Sequence, residues 1–597
     1  MMVAPLLEEF SPVTTAEWEA AIARDLKGAD YEKKLIWRTD AGISVKPYYR
    51  AEDLAAVAGL DAKPGEFPYR RGARAEAGWK IREEIEAASA EEANREACAA
   101  VHSGAEEIAF VNVAVRDRAG LEVAFANLDG VGVHFECADG ALISALFERF
   151  SRKEHASDGA ISTGCDPLAD ADFAAQAITQ TPHGFVPFTI DAARFEEDGA
   201  NAVEEIGLAL AAGAEVVVEM DARGVSADRV AAALGFRIAI GANFFFQIAK
   251  LRAFRMLWAR VTESFGGSGD AAQTHITART SRWNKTVYDS HMNILRATTE
   301  AVSAVMGGAD SIVVASFDEC YKAPDEPSKR LARNTQLLLR HEAMLGRVAD
   351  PGAGAYYIEI LTDSIAREAW KLLQEIEAGG GFSKLRASGW IAGRLARNLT
   401  AREKAVANRK RVFTGTNLYA NPAEHVLENI DFERMNAGHR GARMYEQLRL
   451  RTERHAMAGG RVPQVLLAEI GDAKMRGARS NFAANFFACA GFRTTVRRFD
   501  SAAEIAAADV DLIVLCSSDA EYEGIAAELM SELTAPGRET PVIVAGNPES
   551  AEALKALGIA EFVHMRSNPI EVLTKWQERL GIKDQPLASS CQLSAFS

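Results

Sequence analysis

The sequence predicts an α/β protein: a (β/α)8 TIM barrel followed by a C-terminal doubly wound, flavodoxin-like domain. Three observations predict it. Between about residues 85 and 355, eight short apolar strand signals alternate with amphipathic helices, the rhythm of a closed parallel barrel. From Pro463 onward, five apolar runs each precede a helix, as in a doubly wound parallel sheet. The length, 597 residues, suits several units, one of them a large barrel.

In chain order, residues 1–50 read as an N-terminal arm, with an amphipathic helix around Thr15–Leu26 and then LIWRTDAGISVKPYY, which alternates like an edge strand. Residues 51–355 form the barrel. Its strands are expected at Ile108–Val113, Val131–Phe135, Phe185–Ile190, Glu215–Met220, Phe236–Ile240, Gln273–Thr277, Ser311–Ala315 and Leu345–Val348. Residues 356–460 are a helical connecting region containing AREAWKLLQEIEA and NLTAREKAVANRKRV. Residues 461–583 carry the strands QVLLAEIG, RTTVRRF, DLIVLCSS, PVIVAG and EFVHM and the closing helix IEVLTKWQERL. Residues 584–597 are a tail expected to fray.

Composition limits the partners. The chain is 48% hydrophobic and 25% charged, with 67 Lys plus Arg against 83 Asp plus Glu, a formal charge of −16. So acidic a chain is a poor binder of nucleic acid or anionic membrane. The seven cysteines are scattered, with no C-x-x-C, as suits a reducing compartment. The N-terminus lacks a basic, apolar leader, and the most apolar stretch, Phe236–Ala249, is interrupted by Arg237, Asn243 and Gln247; the cytoplasm is the expected location. His275, His291 and His341 stand alone, so no metal site is expected. Gly266–Gly269 reads as a surface turn and the basic run Arg402–Arg411 as a solvated helix face. Arg252, Arg255 and Trp258 share a helix face suited to packing on a barrel exterior, and Arg333–Gln336 reads as the start of a helix.

Several strings are long and specific: PGEFPYRRG at Pro64–Gly72, FRIAIGANFFFQIAKLRAFRMLWARV, RLARNTQLLLRHEAMLGRVADPGAGAYYIEILTD and the pattern of the C-terminal domain. Over about residues 20–580 the chain resembles the methylmalonyl-CoA mutase family. The resemblance implies a carbon-skeleton rearrangement of a short branched acyl-CoA through radicals from adenosylcobalamin, a cofactor the protein must hold and seal. In catalytic members the cobalt takes a histidine from a DxHxxG loop, backed by an orienting aspartate.

Against that pattern, the functional positions have changed. The loop after QVLLAEIG is Asp472-Ala473-Lys474-Met475-Arg476-Gly477, with Asp472 and Gly477 in place and Lys474 where the histidine stands. A ligand needs a lone pair, and deprotonating a lysine at pH 7 costs about 4.6 kcal/mol. Ser517-Ser518 keeps a serine near the family's nucleotide-tail site, Ala545-Gly546-Asn547 replaces a double glycine, and the bulk of His564–Ser567 is expected to fill the groove. In the barrel, the string whose histidine acts on the thioester aligns with Ala192–Ala200, so Arg194 takes the histidine's place. Arginine stays charged and cannot exchange a proton as imidazole does, though it could polarise a carbonyl or form a plain ion pair. After PGEFPYRRG, Ala73–Trp79 offers no tyrosine.

The resemblance therefore implies the small, non-catalytic chain of a heterodimeric member. No catalytic and no cofactor-binding residue is expected here, and adenosylcobalamin and catalysis fall to a large catalytic partner. The alternatives are a stand-alone, cobalamin-independent acyl-CoA enzyme using Arg194, or a regulatory acyl-CoA-binding protein.

Overall fold

The structure, a computed structural model, describes residues 11, 13–115, 117–136, 140–150, 161–180, 185–533 and 540–582. The tail 584–597 and the first ten residues of the arm lie outside them. In the described part of the arm, a helix over Thr15–Asp25 is closed by a capping box in which Thr14 N donates to Glu17 Oε2 (2.8 Å) and Glu17 N to Thr14 Oγ1 (3.2 Å). This helix buries none of its residues. The expected edge strand is a hairpin of two-residue strands, β1 (Trp37–Arg38) and β2 (Ser44–Val45).

Eight parallel strands then close a barrel: β3 (Lys80–Ile85), β4 (Glu107–Phe110), β5 (Gly132–Phe135), β6 (Ile161–Cys165), β7 (Phe185–Asp191), β8 (Leu234–Ile240), β9 (Ile276–Thr280) and β10 (Ser311–Val313), with β10 pairing β3. Six of the expected strands fall at or beside these positions, and two do not. Glu215–Met220 lies inside a 20-residue helix, Ala202–Asp221, that is buried over most of its length; Val216 and Val217 pack in the core while Val218 is exposed. Leu345–Val348 is a short 3-10 turn, Leu345–Arg347, running into extended backbone at Val348. The places of these two belong to β3 and β6.

Along the strands, outward residues are apolar and pack under the helices: Ile81, Ile108, Val133, Phe236, Ile276 and Ile312 are all buried in one core. Because strand side chains alternate faces, Arg82, Glu84, Glu107, His134, Arg237, Arg279 and Ser311 point the other way, to the axis.

The recognisable strings meet in one buried charge cluster on the barrel's flank. Glu359, fully buried, pairs with Arg70 (2.8 Å), Arg71 and Arg252 (3.0 Å), and accepts from Gly354 N (3.0 Å). Asp350 pairs with Arg71 (3.2 Å) and Arg252 (3.0 Å). Burial alone would raise the Glu359 carboxyl, but Arg252, the Gly354 amide, Arg71 and Arg70 together hold it at about 2. The expectation that the Arg252 face packs on the barrel is met, with ion pairing added: Arg255 reaches Asp310 (3.0 Å) and Trp258 is wholly buried. Arg333 and Gln336 sit within the helix Glu326–His341 rather than at its start, where Asp325 is the cap. Arg333 pairs with Glu83 (2.6 Å), and Gln336 accepts from Trp79 Nε1 (3.0 Å).

The basic run Arg402–Arg411 is no free face. Arg402 is buried against Glu196 (3.0 Å), with its guanidinium over the Trp283 ring, and Arg409 donates to the Asn485 carbonyl (2.8 Å). That segment joins the barrel to the C-terminal sheet, β11 (Gln464–Glu469), β12 (Arg493–Arg498), β13 (Leu512–Cys516), β14 (Val542–Ala545) and β15 (Glu561–Val563), all parallel in the order β12-β11-β13-β14-β15. This is the expected doubly wound topology, with one core under each face of the sheet.

Candidate functional site

Two places in such a fold take ligands: the barrel axis with its C-terminal mouth, and the crevice outside the carboxyl ends of the C-terminal strands. In the axis, charged side chains meet one another. Arg82 donates to Glu107 (2.8 Å), which also accepts from Ser311 Oγ (2.5 Å) two strands away, and Ser311 Oγ lies 3.0 Å from His275 Nε2. Nearer the mouth, Arg279 bridges Glu84 (2.9 Å) and Glu319 (2.9 Å), and Arg237 Nε donates to Asp191 (3.0 Å). Burial would raise Glu84, Glu107 and Asp191, yet Arg279, Arg82 and Arg237 respectively outweigh it and hold each below its usual range. His134, 2.8 Å from Ser162 Oγ, is pushed well down by burial and by Arg82 and Arg237, so its imidazole is neutral. Each arginine and carboxylate named here is matched within the axis, an arrangement suited to filling space rather than to exchanging protons.

Arg194 stands at the mouth on the short helix Ala193–Glu197, directly after β7. Its guanidinium pairs with Asp191 (3.0 Å) and Glu136 (2.9 Å), and its side chain is 67% exposed. It lines a cavity of about 190 Å³ together with His134, Thr189 and Arg237. An arginine held by two carboxylates has little positive charge left for a thioester oxygen. On the far side, Arg74 of the altered Ala73–Trp79 string pairs with Asp310 (3.0 Å), and Trp79 is buried.

In the C-terminal crevice, Asp472 caps the helix Ala473–Ala488, accepting from Met475 N (2.8 Å). Lys474 is exposed in the first turn of that helix. A Cβ at Gly477 would meet no protein atom within 4 Å, so open space lies beside it. Glu521 accepts from Ser517 Oγ (2.7 Å), Ser518 Oγ (2.6 Å) and Asp472 N (3.0 Å), and these bonds, that of Ser518 foremost, hold it at about 2. Tyr522, wholly buried, donates to the Ala545 carbonyl (2.7 Å) and accepts from Ser517 N (3.1 Å). Beside it the Arg479–Asp519 pair (2.9 Å) lies against Gly546, where an added Cβ would already be tight. Filling therefore comes from Tyr522 and this pair. Of the stretch expected to fill the groove, Met565 is 89% exposed and Arg566 is exposed, while His564 and Ser567 are half-buried. These residues do not fit an axially ligated cobalamin: the side chain in the ligand's place is an exposed ammonium, and the aspartate behind it is engaged by its own helix.

Three features escaped sequence reasoning: the axial ion pairs, the Tyr522 plug and the Arg402–Trp283 stack. Only the first left a signal, the period-two alternation in ITART that sets Arg279 opposite in face to Ile276 and Ala278. Among the described residues no group of three or more His, Cys, Asp and Glu could hold a metal ion, and no helix is long and apolar enough to cross a membrane.

The fold defines the class: an α/β protein with a closed eight-stranded parallel barrel and a C-terminal flavodoxin-like sheet. A family model described as methylmalonyl-CoA mutase matches residues 38–120 and 169–504. The chain is 35% identical to the methylmalonyl-CoA mutase small subunit of Porphyromonas gingivalis (strain ATCC BAA-308 / W83), over 97% of this chain and 99% of that one. It is 32% identical to the small subunit of Streptomyces virginiae, over 97% and 98%. With the methylmalonyl-CoA mutase of Cereibacter sphaeroides it shares 32% identity over 74% of this chain and 69% of that one. The chain belongs to the methylmalonyl-CoA mutase family.

Proposed function

We propose that this chain is the structural small subunit of a heterodimeric methylmalonyl-CoA mutase, non-catalytic itself, in the cytoplasm. Its large partner holds adenosylcobalamin and interconverts methylmalonyl-CoA and succinyl-CoA. The observation that carries the reading is the axis lined with charges paired to one another, Arg82–Glu107, Glu84–Arg279–Glu319 and Asp191–Arg237, where an acyl-CoA would have to pass. The crevice around Asp472, Lys474 and Gly477 supports it as a cobalamin-domain fold, spanning residues 461–583, that holds no cobalamin. A pseudo-symmetric partner can keep its scaffold without keeping its pockets.

The test is reconstitution. The chain alone, with adenosylcobalamin and methylmalonyl-CoA, gives no succinyl-CoA; mixed with a large catalytic chain it co-elutes, and the complex turns over. Turnover by the isolated chain would defeat the reading, as would a large chain that neither binds it nor gains from it. Arg194→Ala in the complex leaves turnover unchanged; a loss there would point to the alternative in which Arg194 polarises a thioester.

A further inference from the structure

A cavity of about 280 Å³ lies where the segments after β7, β8 and β9 meet the connecting segment, and it shares no lining residue with the cavity at Arg194. One wall is the start of the 21-residue helix Phe244–Ser264. That start is bare: the Asn243 side chain makes no capping bond, and no acidic residue stands in the first turn. Such a helix end presents unmet N–H groups and partial positive charge.

The side chains around it are short of acceptors. Trp283, 4% exposed, leaves its Nε1 without a partner, as Arg402 leaves its Nε. Charge points the same way. The lining holds four cations, Lys250, Arg296, Arg402 and Arg411, against three carboxylates, Asp40, Glu196 and Glu205. Glu205 is taken by Lys250 (2.5 Å) and Glu196 by Arg402 (3.0 Å), while Arg411 stands 3.7 Å from Asp40. Among the described residues Arg296 donates to neutral oxygens alone: Thr286 Oγ1 (2.8 Å), Asn293 Oδ1 (2.7 Å) and the Thr414 carbonyl (2.8 Å). Burial lowers the Arg296 pKa although Glu300 and Asp289 act against it, and the Arg411 side chain is 39% exposed to solvent.

We infer that this cavity binds a small oxyanion, a phosphate or carboxylate group, between the Phe244 helix start, Arg296, Arg411 and the Trp283 indole N–H. A helix N-terminus with converging guanidiniums supplies charge-assisted donors for such a group. The site belongs to this chain alone and stands whether or not the chain serves as a partner subunit.

The test is calorimetric titration of the full-length chain with inorganic phosphate and, separately, with acetate, at constant ionic strength set by chloride. Saturable binding of either supports the site and identifies which group it takes. Arg296→Gln weakens that binding about 10-fold, as loss of one charge-assisted contact does. Trp283→Phe keeps the ring under Arg402, loses the N–H and weakens binding by a smaller factor, which guards against misfolding of the first variant. Arg260→Gln, on the exposed flank of the same helix, binds as the wild type does. Absence of saturable heat with both anions, or equal affinity in all four proteins, overturns the inference.

Discussion

The barrel axis and the C-terminal crevice occupy matching places at the carboxyl ends of parallel strands, yet they are filled by different means. The axis is occupied by charge: residues from β3, β4, β7, β8 and β9 pair with one another across the interior, and Ser311 of β10 donates to Glu107. The crevice is filled by bulk and by local bonding: Tyr522 beneath, the Arg479–Asp519 pair beside Gly546, and Asp472 turned to its own helix. Axial residues are mutually dependent, since removing one ion strands another in low dielectric. Crevice residues are nearly independent, so each could change singly at little risk to folding.

The largest effect that would break this contrast lies in the axis. Arg279→Met leaves Glu84 and Glu319 facing each other unpaired, and should lower unfolding free energy by about 3–5 kcal/mol in urea denaturation. A loss under about 1 kcal/mol would mean that the axis is wet and its pairs are weak. Acid supplies the next effect. Glu84, Glu107 and Asp191 have folded pKa values depressed below 4.5, 4.5 and 3.8, so their stabilisation is full above those values and is lost as pH falls through the folded ones. The melting temperature should therefore hold from pH 7 to about 5 and fall steeply below 4.5, with a shallower fall in Arg279→Met. Parallel curves would remove Arg279 as the cause. Smaller is Tyr522→Phe, which keeps the ring but loses the bond to the Ala545 carbonyl, for about 1 kcal/mol. Smallest is Lys474→Ala, within about 0.5 kcal/mol of wild type because the side chain is exposed. A marked loss in Lys474→Ala would mean that the crevice has a partner for this ammonium.

The C-terminal sheet was legible strand by strand because its central strands are buried on both faces and read as plain apolar runs such as DLIVLCSS. The barrel was legible in kind but not in every strand. β3 reads KIREEI, whose inward Arg82 and Glu84 and outward Glu83 hide an alternating pattern under charge. Glu215–Met220 misleads in the opposite sense: its valines suit a strand locally, but they belong to the largely buried helix Ala202–Asp221, and tertiary packing overrides propensity. Arg194 and Lys474 could be located from motif alignment because each lies in or just after the loop following a strand. Their surroundings could not, since the decisive contacts join distant residues: Arg279 meets Glu84 across 195 positions and Ser311 meets Glu107 across 204.

The Glu359 cluster has a consequence in time rather than energy. Arg70 and Arg71 precede the first barrel strand, and Glu359 follows the last by some forty residues, with 289 positions between Arg70 and its partner. The cluster is a clasp that fastens the chain's entry into the barrel to its exit. During synthesis the clasp stays open until residue 359 has left the ribosome, and three arginines wait without their shared anion until then. A contact of such sequence separation slows folding, because the loop it closes must be paid for before the contact rewards it.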